Sequence, residues 1–153
     1  MWKNFVYFGY RGELIKQIMI TENHVSLEIA KLLDQNGFNE DTDYIYYYYE
    51  SDDDYCFEKL LPGDKFDEDK MLHCPTIAVA MKWLRKKHNV FISPVFVDES
   101  YEGAEKVEPY YGFTVEDVST KKFLATSKST HYDEPEDACE DAIKYCLEHK
   151  FWD

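Results

Sequence analysis

The sequence has no long apolar run, few chain breakers, no paired cysteine motif and a shortage of bases. No stretch approaches the roughly 18 apolar residues that a membrane helix needs. The start, Met1-Trp2-Lys3-Asn4-Phe5-Val6-Tyr7-Phe8, lacks the sustained apolar segment of a secretory leader. A cytoplasmic location without membrane association is the expectation. Cys56, Cys74, Cys139 and Cys146 contain no Cys-x-x-Cys pair, and a chain of 153 residues does not depend on disulfide staples. Cys139 and Cys146 stand seven apart in a helical pattern, about two turns or ~10 Å along one face, too far to bridge. Free thiols are therefore expected.

Chemical motifs are equally sparse. There is no Gly-rich phosphate loop. His73-Cys74 taken with Cys56 or His88 fits no zinc spacing. Neither Asp52-Asp53-Asp54 nor the Asp64 to Asp69 stretch has the alternating ligands, central Gly and closing Glu of an EF-hand loop, although a loose, weak cation site on these acids stays open. His131 lies two residues from Asp133 and His149 lies near the chain end, but neither has a nucleophile in a recognisable setting. No catalytic residue, metal ligand or cofactor is expected.

Against 31 acids stand 17 bases, and the resulting charge of −14 is unevenly spread. Residues 1–38 are neutral, residues 39–70 carry −9, residues 71–96 carry +4 and residues 97–153 carry −9. A field of that sign repels phosphate backbones and anionic headgroups, which argues against nucleic acid and membrane surfaces as direct partners. It also keeps an ordinary protein dispersed in water, so charge alone does not establish a binding role.

Hydrophobic residues make up 44% of the chain, enough for a folded core. The length suits one domain over 1–153, with the polar stretch 62–70 as a boundary between weak halves 1–61 and 71–153. Near the start, Phe5 to Phe8 and Leu14 to Ile20 are short apolar runs divided by Gly9 and Gly12, which favours a turn between extended pieces. Ser26 can cap a helix carrying Ile29, Leu32 and Leu33 toward the core, ended by Asn36-Gly37. Tyr44 to Tyr49 reads as a strand, with Asp52-Asp53-Asp54 as the turn and Tyr55-Cys56-Phe57 returning.

In the second half, Pro75-Thr76 opens a helix with Ile77, Ala80, Met81 and Leu84 on one stripe and Val79 and Trp83 beside it. Lys82, Arg85, Lys86 and Lys87 follow, where cations suit the helix dipole. Val90 to Val97 reads as a strand, which Pro94 makes an edge strand or gives a bulge. Gly112 to Val118 and Lys122 to Ser127 read as a hairpin. Asp133-Glu134-Pro135 begins a last helix whose inner face is Ala138, Cys139, Ala142, Ile143, Cys146 and Leu147.

The expected class is α+β, an antiparallel sheet with helices packed on it, in the order α-β-β-α-β-β-β-α. A helix followed by strands recurs in both halves, so a weak internal duplication is one reading of the order. Residues 76–148 resemble the double-stranded-RNA-binding domain in element order only. That family grips phosphates with lysines at the start of its second helix, where this chain has Asp133, Glu134, Glu136 and Asp137.

A second resemblance covers about half the chain. It rests on Glu28-Ile29-Ala30-Lys31-Leu32-Leu33 with Gly37-Phe38-Asn39-Glu40, on Cys74-Pro75-Thr76 with Ala80-Met81-Lys82-Trp83-Leu84-Arg85 and His88-Asn89, and on Glu136 to Glu140 with Ala142 to Glu148. Together these resemble a group of short, Tyr-rich, uncharacterised proteins of gut-type bacteria, their phages and mobile elements. The resemblance implies a genetic setting and no activity.

The most informative segment is Asp43 to Tyr55, a run of aromatic rings followed by a run of carboxylates. Alternation puts Tyr44, Tyr46 and Tyr48 on one face and Ile45, Tyr47 and Tyr49 on the other. One face belongs to a core; the other is either a second core layer or an interface, since Tyr supplies area and a hydroxyl at low entropy cost. The candidate partner surface is Tyr47, Tyr49, Asp52, Asp53 and Asp54 with the loop acids Asp64, Asp67, Glu68 and Asp69. Its expected occupant is a basic protein, with a homodimer and a nucleic-acid-mimicking inhibitor as specific forms; a small-molecule domain or enzyme with a Tyr-lined pocket is the alternative. Gel-shift titration at low salt with duplex DNA and duplex RNA should show no complex, and micromolar affinity for either would refute the electrostatic exclusion.

Overall fold

Among the described residues, three α-helices form where cap residues and apolar periodicities place them. The Ser26 hydroxyl accepts a hydrogen bond from the Ile29 amide and caps α1 (Leu27–Gln35). Gly37, at φ +82°, takes the left-handed conformation that closes this helix. Thr76 caps α2 (Ile77–His88) through the Val79 amide, and Asn89 closes it at φ +57°. Pro135 opens α3 (Pro135–His149). The computed structural model describes residues 6–10, 13–17, 23–98, 108–127 and 130–152.

Within those residues the protein is α+β. The antiparallel pair β1 (Val6–Tyr10) and β2 (Glu13–Gln17) sets Tyr10 opposite Glu13. Gly9 lies inside β1 opposite Leu14, not in the turn; Phe5, Gly12 and residues 18–20 of the expected apolar runs lie outside the described residues. The second sheet contains β3 (Tyr44–Tyr49), β4 (Asp54–Lys59) and β5 (Met71–His73) in the order β4-β3-β5. The third contains β6 (Val90–Val97), β7 (Tyr110–Asp117) and β8 (Phe123–Thr126) in that order.

The expected α+β class stands, and the structure refines its element order and one turn. Helices do pack on antiparallel strands, but the strands of the two halves form two three-stranded sheets. Between the loop 62–70 and α2, Met71–His73 adds β5 to the free side of β3, so the order from α1 onward is α-β-β-β-α-β-β-β-α. Three residues are too few to carry an alternation signal. Asp54 opens β4, leaving residues 50–53 as the turn. The repeated order is not a repeated topology, because the first strand is central in one sheet and the second strand in the other.

Pro94 does sit on an edge strand, opposite Phe113. The α3 positions Ala138, Cys139, Ala142, Ile143, Cys146 and Leu147 are buried, and α3 packs against β6, β7, α1 and α2. One continuous core joins them to Val25, Ile29 and Leu33 of the first half and to Ile77, Leu84, Ile92 and Val115 of the second. On α2 the inward stripe is Ile77, Ala80, Trp83 and Leu84, with Met81 half-buried. The chain entering α1 is tied to the chain entering α2: the Val25 amide donates to the Pro75 carbonyl at 3.0 Å and the Ile77 amide to the Asn23 carbonyl at 2.8 Å.

All four cysteines are free; Cys56 is exposed, and the other three belong to the core. Burial pushes the Cys74 thiol up to about 11 and those of Cys139 and Cys146 up to about 12. Burial also raises the Tyr46 and Tyr132 hydroxyls to about 12, helped at Tyr132 by its hydrogen bond to Asp141. The folded protein holds these protons more tightly than the unfolded chain. Their stabilisation is complete below pH ~9 and is lost as pH rises toward ~12. Urea midpoints should fall progressively over that window, and Cys139→Ala with Cys146→Ala should flatten the fall; an undiminished slope in the double variant would show that these thiols are not responsible.

Candidate functional site

Both faces of β3 are used, in different ways. Tyr44 and Tyr46 pack against the main core, and the Tyr46 hydroxyl donates to the Val25 carbonyl at 3.0 Å. On the same face Phe57 stacks on Tyr44 with centroids 5.0 Å apart, and His24 meets both rings edge-on. Tyr48 packs on Tyr55, over which the Lys31 ammonium lies 4.9 Å from the ring centroid.

The opposite face carries Ile45, Tyr47 and Tyr49. Ile45 is fully buried, whereas Tyr47 and Tyr49 stay half-buried. Tyr47 meets Tyr49 edge-on at 5.0 Å, and Phe66 from the loop after β4 leans on Tyr47 at 4.9 Å. Asp54 lies opposite Tyr49, Cys56 opposite Tyr47 and Glu58 opposite Ile45, so all three share this face. The Tyr49 hydroxyl donates to the Glu58 carboxylate at 3.2 Å; partial burial and then the Glu58 charge raise its pKa. An ion pair of 2.7 Å joins Lys70, at the end of the loop, to Glu50, at the start of the hairpin turn. The loop is therefore folded back over the hairpin.

The predicted acids divide into two groups. Asp53, at φ +52°, accepts a short hydrogen bond from the Tyr48 hydroxyl, which raises the Tyr48 pKa. Asp54 accepts from the Tyr55 amide at 2.7 Å, and Asp64 from the Leu61 amide at 2.8 Å. Asp67 accepts from the Asp69 amide at 3.2 Å and so caps a single 3-10 turn, Glu68–Lys70. These four carboxylates shape turns. Asp52, Glu68 and Asp69 are exposed, and their side chains bond none of the described residues.

Phe66, Glu50, Glu58 and Lys70 complete the cluster but were absent from the candidate set. The available signal was Phe66, a lone aromatic between Lys65 and Asp67. The pairing of Lys70 with Glu50 spans twenty residues and leaves no local mark. The surface histidines show no catalytic arrangement among the described residues: His131 stacks on Tyr110 at 3.6 Å and His149 on Tyr145 at 3.8 Å.

No protein-family model matches the chain, and neither the curated proteins nor the solved structures include a significant match. Geometry and charge are the grounds for a functional reading. They give the aromatic face a measurable character. Tyr47→Ala and Phe66→Ala should each cost about 1–2 kcal/mol in urea unfolding, below the ~3–5 kcal/mol of a fully buried aromatic. A loss in the higher range would identify this face as a second core.

Proposed function

We propose that the protein is a non-enzymatic binding module that holds a basic region of another protein on the face formed by β3, β4 and the loop of residues 62–70. One observation carries this reading: Phe66 rests on Tyr47 while Lys70 is held by Glu50, so loop acids and turn acids border one half-exposed aromatic cluster. Rings that are partly open can gain buried area on binding, and a border of carboxylates attracts a cationic surface and orients it. The reading that gives the tyrosines a small-molecule pocket has less behind it. Tyr47 and Tyr49 pack edge-on against each other.

A sharper form of the proposal is an inhibitor, encoded by a phage or mobile element, that presents nucleic-acid-like negative charge to a nuclease or DNA-binding protein. The resemblance to short Tyr-rich proteins of such elements is consistent with that setting, and a cytoplasmic site of action fits it. A second copy of the chain is a further form the partner could take.

Affinity capture from host-cell extract, followed by kinetics with the captured protein, tests the surface. Replacing Asp52, Asp53 and Asp54 together by Asn should leave the secondary structure intact and slow association several-fold at low salt, with less effect at high salt. Tyr47→Ala should act on dissociation instead. Cys56, the one exposed thiol of the four, shares the face with Tyr47 and serves as a reporter: bound partner should protect it from alkylation. Unchanged association kinetics in the Asn variant together with full Cys56 reactivity in the complex would place the interface elsewhere.

A further inference from the structure

Residues 71–96, which carry +4 in this acidic chain, supply one side of a groove. Val79, Lys82, Trp83, Lys86 and Lys87 recur at i, i+3, i+4, i+7 and i+8, which is one stripe of α2. Asn39 and Glu40 form the facing wall, around a hollow of about 310 Å³. They are held there because Phe38, the preceding residue, is buried edge-on against Trp83 at 5.5 Å. The floor is apolar: Trp83 is 5% exposed and fixed in place, while Val79 keeps 38% of its surface open. The walls carry three ammonium groups against one carboxylate. Among the described residues no acid forms an ion pair with Lys82, Lys86 or Lys87, whereas Lys70 and Lys144 are both paired.

Exposed cations over an apolar floor suit a ligand with both properties, and the volume lies at the small end of ligand pockets. We infer that the groove along α2 binds a small organic anion, a carboxylate or phosphate monoester carried on an apolar group. The charge distribution favours a small ion over a polymer. At physiological ionic strength charges beyond about 8 Å are largely screened, so the three lysines set the potential that a small anion meets. A long polyanion would also lie across acidic surface, beginning with Glu40 and Asp41. The lining shares no residue with the acidic face of β3, so either reading can fail without the other.

The test is a titration of the ¹⁵N-labelled protein with phenyl phosphate, phenylacetate, inorganic phosphate and benzyl alcohol, followed through the Trp83 indole and the amides of residues 79–87. At least one aryl anion should shift these signals saturably, with a dissociation constant on the order of 1 mM for a ligand of this size. Comparing the two aryl anions identifies the preferred headgroup. Inorganic phosphate lacks the apolar part and benzyl alcohol lacks the charge, so both should bind more weakly. Lys82→Gln with Lys86→Gln should weaken the aryl anion about ten-fold, roughly three-fold for each exposed charge removed. Both lysines are exposed, so the variant should fold, and Lys82→Arg with Lys86→Arg should retain binding. The inference falls if neither aryl anion saturates, if the Gln variant binds as tightly as the parent, or if inorganic phosphate binds as well as phenyl phosphate. Tighter binding of a duplex oligonucleotide at the same residues would also overturn it.

Discussion

Burial of one face of α3 holds the two halves of the chain together. Ala138, Cys139, Ala142 and Cys146 are small, so the helix backbone can approach β6 and β7 closely, while Ile143 and Leu147 fill the remaining space. The same helix reaches α1 and α2. Lys144 pairs with Glu28 at 2.7 Å, and the Glu140 carboxylate accepts from the Ser26 amide at 2.7 Å, so α3 also fixes the start of α1 at its polar margin. The exposed ion pair contributes little energy. Its value lies in register, since the apolar contacts beneath it are not directional.

From that helix the positions of the two charged surfaces follow. α1 and α2 share the core with α3, and the bonds between Val25 and Pro75 and between Asn23 and Ile77 bring their starting ends together. The β4-β3-β5 sheet attaches to this frame through Tyr44, Tyr46 and Leu72, which leaves Tyr47 and Tyr49 on its other side. The basic stripe of α2 borders the core, which takes only Trp83 from it. Opposite charges thus end up on different surfaces of one small protein. Their segregation matters more for recognition than the net value of −14, because a partner meets local potential within a screening length.

Much of the fold was legible because its signals are local. Ser26 and Thr76 are caps that act within three residues, Pro135 sets its own φ, and the inward face of α3 follows from helical spacing alone. Tyr44–Tyr49 is a strand by composition, and Pro94 marks an edge through its missing amide hydrogen. Of the candidate surface, the exposure of the turn acids and of the loop acids was also legible, since charged runs avoid burial. Trp83 and Met81 were harder to rank on α2, because both lie near the boundary of its apolar stripe and only the neighbouring Phe38 decides between them.

The helices, most strands, the free thiols and the separation of charge along the chain are legible residue by residue, because each depends on residues close together or on simple sums. How the strands divide into two sheets, that Met71–His73 joins β3, and that Phe66 and Lys70 return to Tyr47 and Glu50 depend on the folded arrangement. Pairing between strands costs chain entropy that contacts elsewhere must offset, so its outcome is not written in any one segment. The same holds for the groove on α2. Its lysines are visible as a stripe, but they become the wall of a hollow only because Phe38 anchors Asn39 and Glu40 across from them.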